Sequence, residues 1–262
     1  MADARRPLTA RRVLGGSIVL LTVAWFVGAL VPAAQGWMVD VAAGFLLTLV
    51  TLAALWWTAA GKGRMWRFWR LIALAWTLNL LGTVAWGVYE MVTGVSLGIF
   101  SWIDGFYLLR YGVILAAFAG ALRPWKARDW ALLAAVTLLL GAGVWFGLYR
   151  PLRPTFDQPL RYFLGGVLYP ILDAALLFAA LWTWRALERP TGRRSVALFA
   201  LGLLSYGIAN VLNFQARATD LDAASLLAGI GWLLADAFSG GAALLARSAP
   251  AEAEVPSQGE ER

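Results

Sequence analysis

The chain has 262 residues, 61% of them hydrophobic and 14% charged, against roughly 25% charged in a soluble domain. Cysteine and histidine are both absent. This excludes a disulfide framework, cysteine- or histidine-ligated zinc or haem, and Ser-His or Cys-His catalysis. The net charge of +7 reads as membrane topology rather than nucleic-acid binding, because the basic residues gather in alternate loops.

Apolar periodicity predicts an all-α membrane protein with eight transmembrane helices, at 13–32, 38–60, 68–91, 98–121, 130–148, 162–184, 195–215 and 223–246. The first is read as a retained helix, since it lacks a small-residue cleavage site. Loops on the N-terminal side hold 17 of the 22 basic residues. The opposite side holds Arg150, Arg153, Arg161 and Arg217, so both termini are assigned to the cytoplasm. Lys62 and Lys126 fall in loops, which leaves no buried lysine for a Schiff base. Trp37, Trp66, Trp69, Trp125 and Trp130 fall near the predicted interfaces, as headgroup anchors. Residues 1–247 form one polytopic transmembrane domain, and 248–262 read as a disordered cytoplasmic tail.

A faint internal repeat has a shift of about 125 residues. Ala53-Ala54-Leu55-Trp56 recurs as Ala179-Ala180-Leu181-Trp182, Gly82 aligns with Gly207, and Tyr107-Leu108-Leu109 matches Trp232-Leu233-Leu234. Helices 2–4 then correspond to helices 6–8 in a parallel repeat, with a pseudo-two-fold axis along the membrane normal. Gly15-Gly16, Gly141, Gly143, Gly165-Gly166 and Gly240-Gly241 are expected to let helices approach closely. Pro170 should kink the sixth helix just before Asp173.

Three charges interrupt the apolar helices: Arg110, Asp173 and Asp236. Each lies roughly 11 to 13 residues from the outer end of its predicted helix, or about 16 to 20 Å, near the middle of a hydrocarbon core about 30 Å thick. Charges at that depth face a partner or a wet cavity. Asp104, Tyr107, Arg110 and Tyr111 lie on or beside one face of helix 4. Trp86, Tyr89, Glu90 and Trp102 cluster near the outer ends of helices 3 and 4. With Tyr169 and Asp173 of helix 6, Tyr206, Asn210 and Asn213 of helix 7, and Trp232 and Asp236 of helix 8, they would line an outward-facing polar, aromatic pocket for an unidentified small molecule. Two alternatives stand beside this: a structural role, in which Arg110 neutralises Asp173 or Asp236 and clasps the helices together, and a role in ion or proton transfer. No cofactor or metal cluster is indicated, and the sequence carries no enzyme signature.

The pattern Trp86…Tyr89-Glu90 followed by Trp102-x-Asp104-x-x-Tyr107-Leu108-x-x-Tyr111, with Tyr169-Pro170-x-x-Asp173 and Asp236, resembles the multi-helix membrane modules that precede GGDEF and EAL domains in bacterial cyclic-di-GMP enzymes. The resemblance implies a sensory, signal-input protein of the bacterial inner membrane, acting here without its output domain through a separate cytoplasmic signalling protein. Two parallel three-helix repeats also resemble the plan of SWEET-type sugar carriers, which makes a small-solute transporter the competing expectation. The paired Pro-Gln motifs of those carriers are absent.

Overall fold

The computed structural model describes residues 6–31, 39–61, 65–95, 97, 100–122, 125–153, 159–188, 190–219 and 221–247. These residues form helical rods and, among them, no strand. In chain order the rods are α1 (Arg6–Leu30), α2 (Val39–Ala59), α3 (Trp66–Thr93) and α4 (Asp104–Ala116, continued by the wide turns of Ala117–Leu122). Then come α5 (Ala127–Val144, extended through Trp145–Tyr149 and Arg150–Leu152) and α6 (Pro159–Phe163, Leu164–Leu168 and Tyr169–Ala186). The last two are α7 (Pro190–Thr219) and α8 (Asp222–Arg247). By length and composition, seven helices can cross a membrane: all but α4. The tail beyond Arg247 lies outside the described residues, as does Trp37.

Six rods close into a ring in the order α2, α3, α4, α6, α7, α8 and back to α2. α1 packs outside the ring against α2 and α8, and α5 outside against α6. The outriders turn apolar side chains outward, among them Val19, Leu20, Leu138, Leu139 and Phe146. Buried groups include Thr51, Thr58, Arg110 and Asp173. Apolar outside and partly polar inside is what a lipid solvent selects.

The half of the ring nearest the α2–α3 loop is filled by aromatic side chains. Phe199 of α7 lies 5.5 Å from Trp76 and 6.0 Å from Phe118, ring centre to ring centre, and Phe68 lies 5.3 Å from Phe118. Trp69, read from the sequence as an interfacial anchor, belongs to this core at 2% exposure. Its position on the inward face of α3 outweighs its nearness to the helix end. Trp66 does behave as an interfacial side chain, with the guanidinium of Arg70 4.4 Å from its ring centre.

Local chemistry fixes the element ends. α3 stops at Gly94, whose φ of 64° needs the freedom of glycine, and the Gly94 N–H closes the helix on the Glu90 carbonyl. α4 starts six residues later than the expected 98, at Asp104, because the Asp104 carboxylate turns back to accept the Ser101 N–H at 2.7 Å. Around Pro170 the helix is irregular. The turn before it, Leu164–Leu168, widens to a π-helix, which relieves the clash of the ring with the preceding carbonyls.

Several expected close approaches occur. A Cβ on Gly166 would overlap the Phe214 ring, one on Gly141 would lie 2.9 Å from Ile171, and one on Gly240 2.7 Å from Ile18. Gly16 and Gly143 instead face open space. The tightest contact between backbones escaped the sequence: at Gly231 a Cβ would meet Ala209 Cβ at 2.8 Å and the Ser205 carbonyl at 2.9 Å. Gly231→Ala should therefore separate α7 from α8 and cost about 1–3 kcal/mol. Gly16→Ala should leave stability unchanged or raise it slightly. Thermal unfolding of both variants in detergent checks the contrast.

Candidate functional site

Arg110 emerges from the middle of α4 into the centre of the ring, at 1% exposure. Its guanidinium carbon lies 3.9 Å from the ring centre of Tyr206, 4.7 Å from that of Trp76 and 5.7 Å from that of Tyr111. The cation is thus held by π faces, which stabilise it when water is excluded. Nε and Nη1 have no hydrogen-bond partner. The expected pairing with one aspartate is not present: no ion pair within 4.0 Å joins Arg110 to Asp173 or Asp236.

The two carboxylates are satisfied by neutral donors instead. Asp173 accepts the Tyr111 hydroxyl at 2.6 Å on Oδ1 and Asn210 Nδ2 at 2.7 Å on Oδ2. Asp236 accepts the Thr48 hydroxyl at 2.5 Å on Oδ2 and the Trp76 indole N–H at 2.9 Å on Oδ1. Trp76 and Tyr111 therefore each touch Arg110 with a ring face and an aspartate with a polar edge. Aromatic side chains thus stand between the guanidinium and each carboxylate.

Further bonds tie the ring together. Asn210 Oδ1 accepts the Trp232 indole N–H at 3.2 Å. The Tyr206 hydroxyl donates to Asn79 Oδ1 at 3.3 Å, directly across the ring from α7 to α3. Tyr107 meets Thr83 at 3.3 Å, and the Tyr169 hydroxyl donates to Asp104. Every rod of the ring supplies at least one member.

Ten of the fifteen predicted residues thus join one network: Asp104, Tyr107, Arg110, Tyr111, Tyr169, Asp173, Tyr206, Asn210, Trp232 and Asp236. The other five stand apart. Glu90 accepts the Leu97 N–H at 3.0 Å and closes the α3–α4 loop. Trp102 is 69% exposed. Asn213 accepts from Arg217 at 3.5 Å. Trp86 and Tyr89 are half-buried toward the end of α3. Sequence reasoning assigned no site role to Thr48, Trp76 and Thr83. Thr48 carries a usable signal, since it precedes Asp173 by the repeat shift of 125 residues. Two open clefts of about 370 and 360 Å³ lie away from the network, between α2 and α3 and between α5 and α6.

No family model matches the chain. Neither does any curated protein or solved structure at a significant level.

Removing a single donor should expose how much each carboxylate relies on it. Tyr111→Phe leaves Asp173 one hydrogen bond short and should cost about 1.5–3 kcal/mol, as for bonds to charged groups. Trp232→Phe, which removes a neutral bond, should cost about 0.5–1.5 kcal/mol. Chemical unfolding in detergent should rank them in that order.

Proposed function

We propose that this protein is a non-enzymatic, signal-input membrane protein of the bacterial inner membrane, in which a small ligand acts on the charge network at the centre of the ring. The observation that carries the reading is the Arg110 guanidinium, fully buried with Nε and Nη1 unpartnered although two carboxylates lie around it. A purely structural clasp would close the ion pair, because an unsatisfied buried donor is costly. Retained donors are what an arriving acceptor oxygen can exploit. Asp104, Tyr107, Tyr169, Asn210 and Trp232 are half-buried at the α3–α4 loop end and form the polar approach to Arg110. The resemblance to membrane modules of cyclic-di-GMP signalling supports a sensory role, exercised through a separate cytoplasmic partner.

The proposal takes α4 with its wide-turn extension as an eighth span, both termini as cytoplasmic, and the ring as a duplicated three-helix unit. Buried positions support the duplication. With a shift of 125, Thr51, Ala54, Leu55 and Thr58 of α2 match Leu176, Ala179, Ala180 and Thr183 of α6, all buried. The same shift takes Ile103, just before α4, and Ile114 and Phe118 of α4 with its extension to Ala228, Ser239 and Ala243 of α8, also buried. For α3 and α7 the match is better at 127, which pairs Ile72 with Phe199 and Trp76 with Leu203.

Hydrogen bonds follow the same arithmetic. Thr48–Asp236 corresponds to Asp173–Tyr111 with acid and hydroxyl exchanged, and Thr83–Tyr107 corresponds to Asn210–Trp232. Asn79–Tyr206 corresponds to itself and so falls on the axis. This two-fold plan is also what favours the second reading, a small-solute carrier of parallel repeats.

A thermal-shift screen of small oxygen-bearing solutes tests the sensory reading. At least one chemical class should raise the melting temperature of wild type and not that of Arg110→Ala. Equal shifts in both, or none, would sink it, and ligand-dependent flux in proteoliposomes would favour the carrier. Because the chain lacks cysteine, single introduced thiols report topology directly. Val95→Cys and Leu221→Cys should react with an impermeant maleimide on intact spheroplasts, whereas Leu187→Cys should react only after lysis.

A further inference from the structure

The centre of the ring holds one guanidinium and two carboxyl groups, so with both acids ionised it carries a surplus negative charge. That surplus lies among Trp76, Tyr111 and Tyr206, where no exposed counter-ion is at hand and an unbalanced charge is expensive. One monovalent cation restores neutrality. The donors around the two acids differ in a way that says which cation, and where.

Around Asp173 the hydrogens are fully committed. The Tyr111 hydroxyl gives its one hydrogen to Oδ1 and accepts from Asn210 Nδ2 at 3.1 Å, while Asn210 Nδ2 also donates to Oδ2. The Asn210 carbonyl is taken by Trp232, so the amide cannot turn over. A proton on either oxygen would remove the charge that strengthens the bonds from the Tyr111 hydroxyl and the Asn210 N–H, and neither donor has a hydrogen to turn elsewhere. This cage fits an ionised carboxylate.

Asp236 is different. Thr48 Oγ1 lies 2.5 Å from Asp236 Oδ2 and 3.2 Å from the Gly44 carbonyl, two acceptors for a single hydroxyl hydrogen. When that hydrogen turns to Gly44, the Thr48 oxygen can accept from a protonated Oδ2. Trp76 stays bonded to Oδ1 throughout. Protonating Asp236 therefore breaks no hydrogen bond. A metal cation fits less well, because each acid already faces an N–H donor, which repels one. As a residue Asp236 is half-buried, whereas Asp173 is buried.

We infer that Asp236 carries one exchangeable proton, donated to Thr48, while Asp173 remains ionised as the counter-charge of Arg110. The charged and titratable groups that act on Asp236 are Arg110 from α4 and Tyr206 from α7, while Tyr111 from α4 and Asp173 from α6 face the same guanidinium. α2 offers Thr48 and Thr51, and α3 offers Trp76, none of which titrates. From α1, the packed residues include Ile18, Leu21 and Trp25, which do not titrate. The site is thus a proton-binding site at the α2–α8 contact, and the inference deepens the functional reading by adding a proton as a second effector of the same core.

Infrared spectroscopy of the purified full chain in lipid near neutral pH tests it, with no ligand added. Wild type should show a protonated-carboxyl C=O band that shifts in heavy water. Asp236→Asn, isosteric with the protonated acid, should fold normally and lose the band entirely. Thr48→Val should displace the band, and Thr48→Ser should leave it in position. Absence of the band in wild type, its survival in Asp236→Asn, or an unmoved band in Thr48→Val overturns the assignment. So does a sodium-dependent rise in melting temperature without the band. None of these readings depends on the ligand screen, so the two ideas fail separately.

Discussion

A single guanidinium stacked between aromatic faces is the constraint around which this bundle is arranged. Arg110 contacts Trp76, Tyr111 and Tyr206, and two of those residues also bond to the aspartates. Moving any of α3, α4 or α7 changes the environment of the cation, and moving α6 or α8 changes that of the carboxylates. Exposed ion pairs contribute about 0–1 kcal/mol, but a charge deprived of water depends on every group left around it. The polar centre therefore fixes the relative register of the six ring helices, which apolar packing alone specifies loosely.

The ring also explains the unequal treatment of helices. α1 and α5 lie outside it, and apolar side chains cover much of their outward surface. Glycines show which faces of a rod are in contact: Gly16 and Gly143 meet nothing, whereas Gly141, Gly166, Gly231 and Gly240 seat side chains or backbone of another rod. Small residues are needed where two rods touch and are indifferent on an open flank.

Much of the helical layout was legible because membrane length and apolar composition leave few alternatives. Seven rods fall where hydropathy puts them, within a few residues. What the sequence concealed is pairing. Depth counted from helix ends suggested a common plane for Arg110, Asp173 and Asp236 and hence an ion pair. In the structure Arg110 lies six residues from the start of α4, whereas each aspartate lies 14 residues from the start of its helix, counting from Asp104, Pro159 and Asp222. All three still gather in the ring, linked through Trp76 and Tyr111. Nor could spacing reveal that Thr48 and Trp76 take Arg110's expected role at Asp236. A threonine and a tryptophan in an apolar helix carry no mark of their partners. Glu90 and Trp102 lie apart from the network, Glu90 accepting from the Leu97 N–H and Trp102 largely exposed.

The submerged start of α4 has a mechanical consequence. Ile103 is almost fully buried, and Asp104 is tied at once to the Ser101 backbone and to the Tyr169 hydroxyl partway along α6. From that double tether to the guanidinium is about 9 Å of stiff α-helix, at about 1.5 Å per residue. A displacement of Asp104 along the axis of this rod would therefore carry the cation with it.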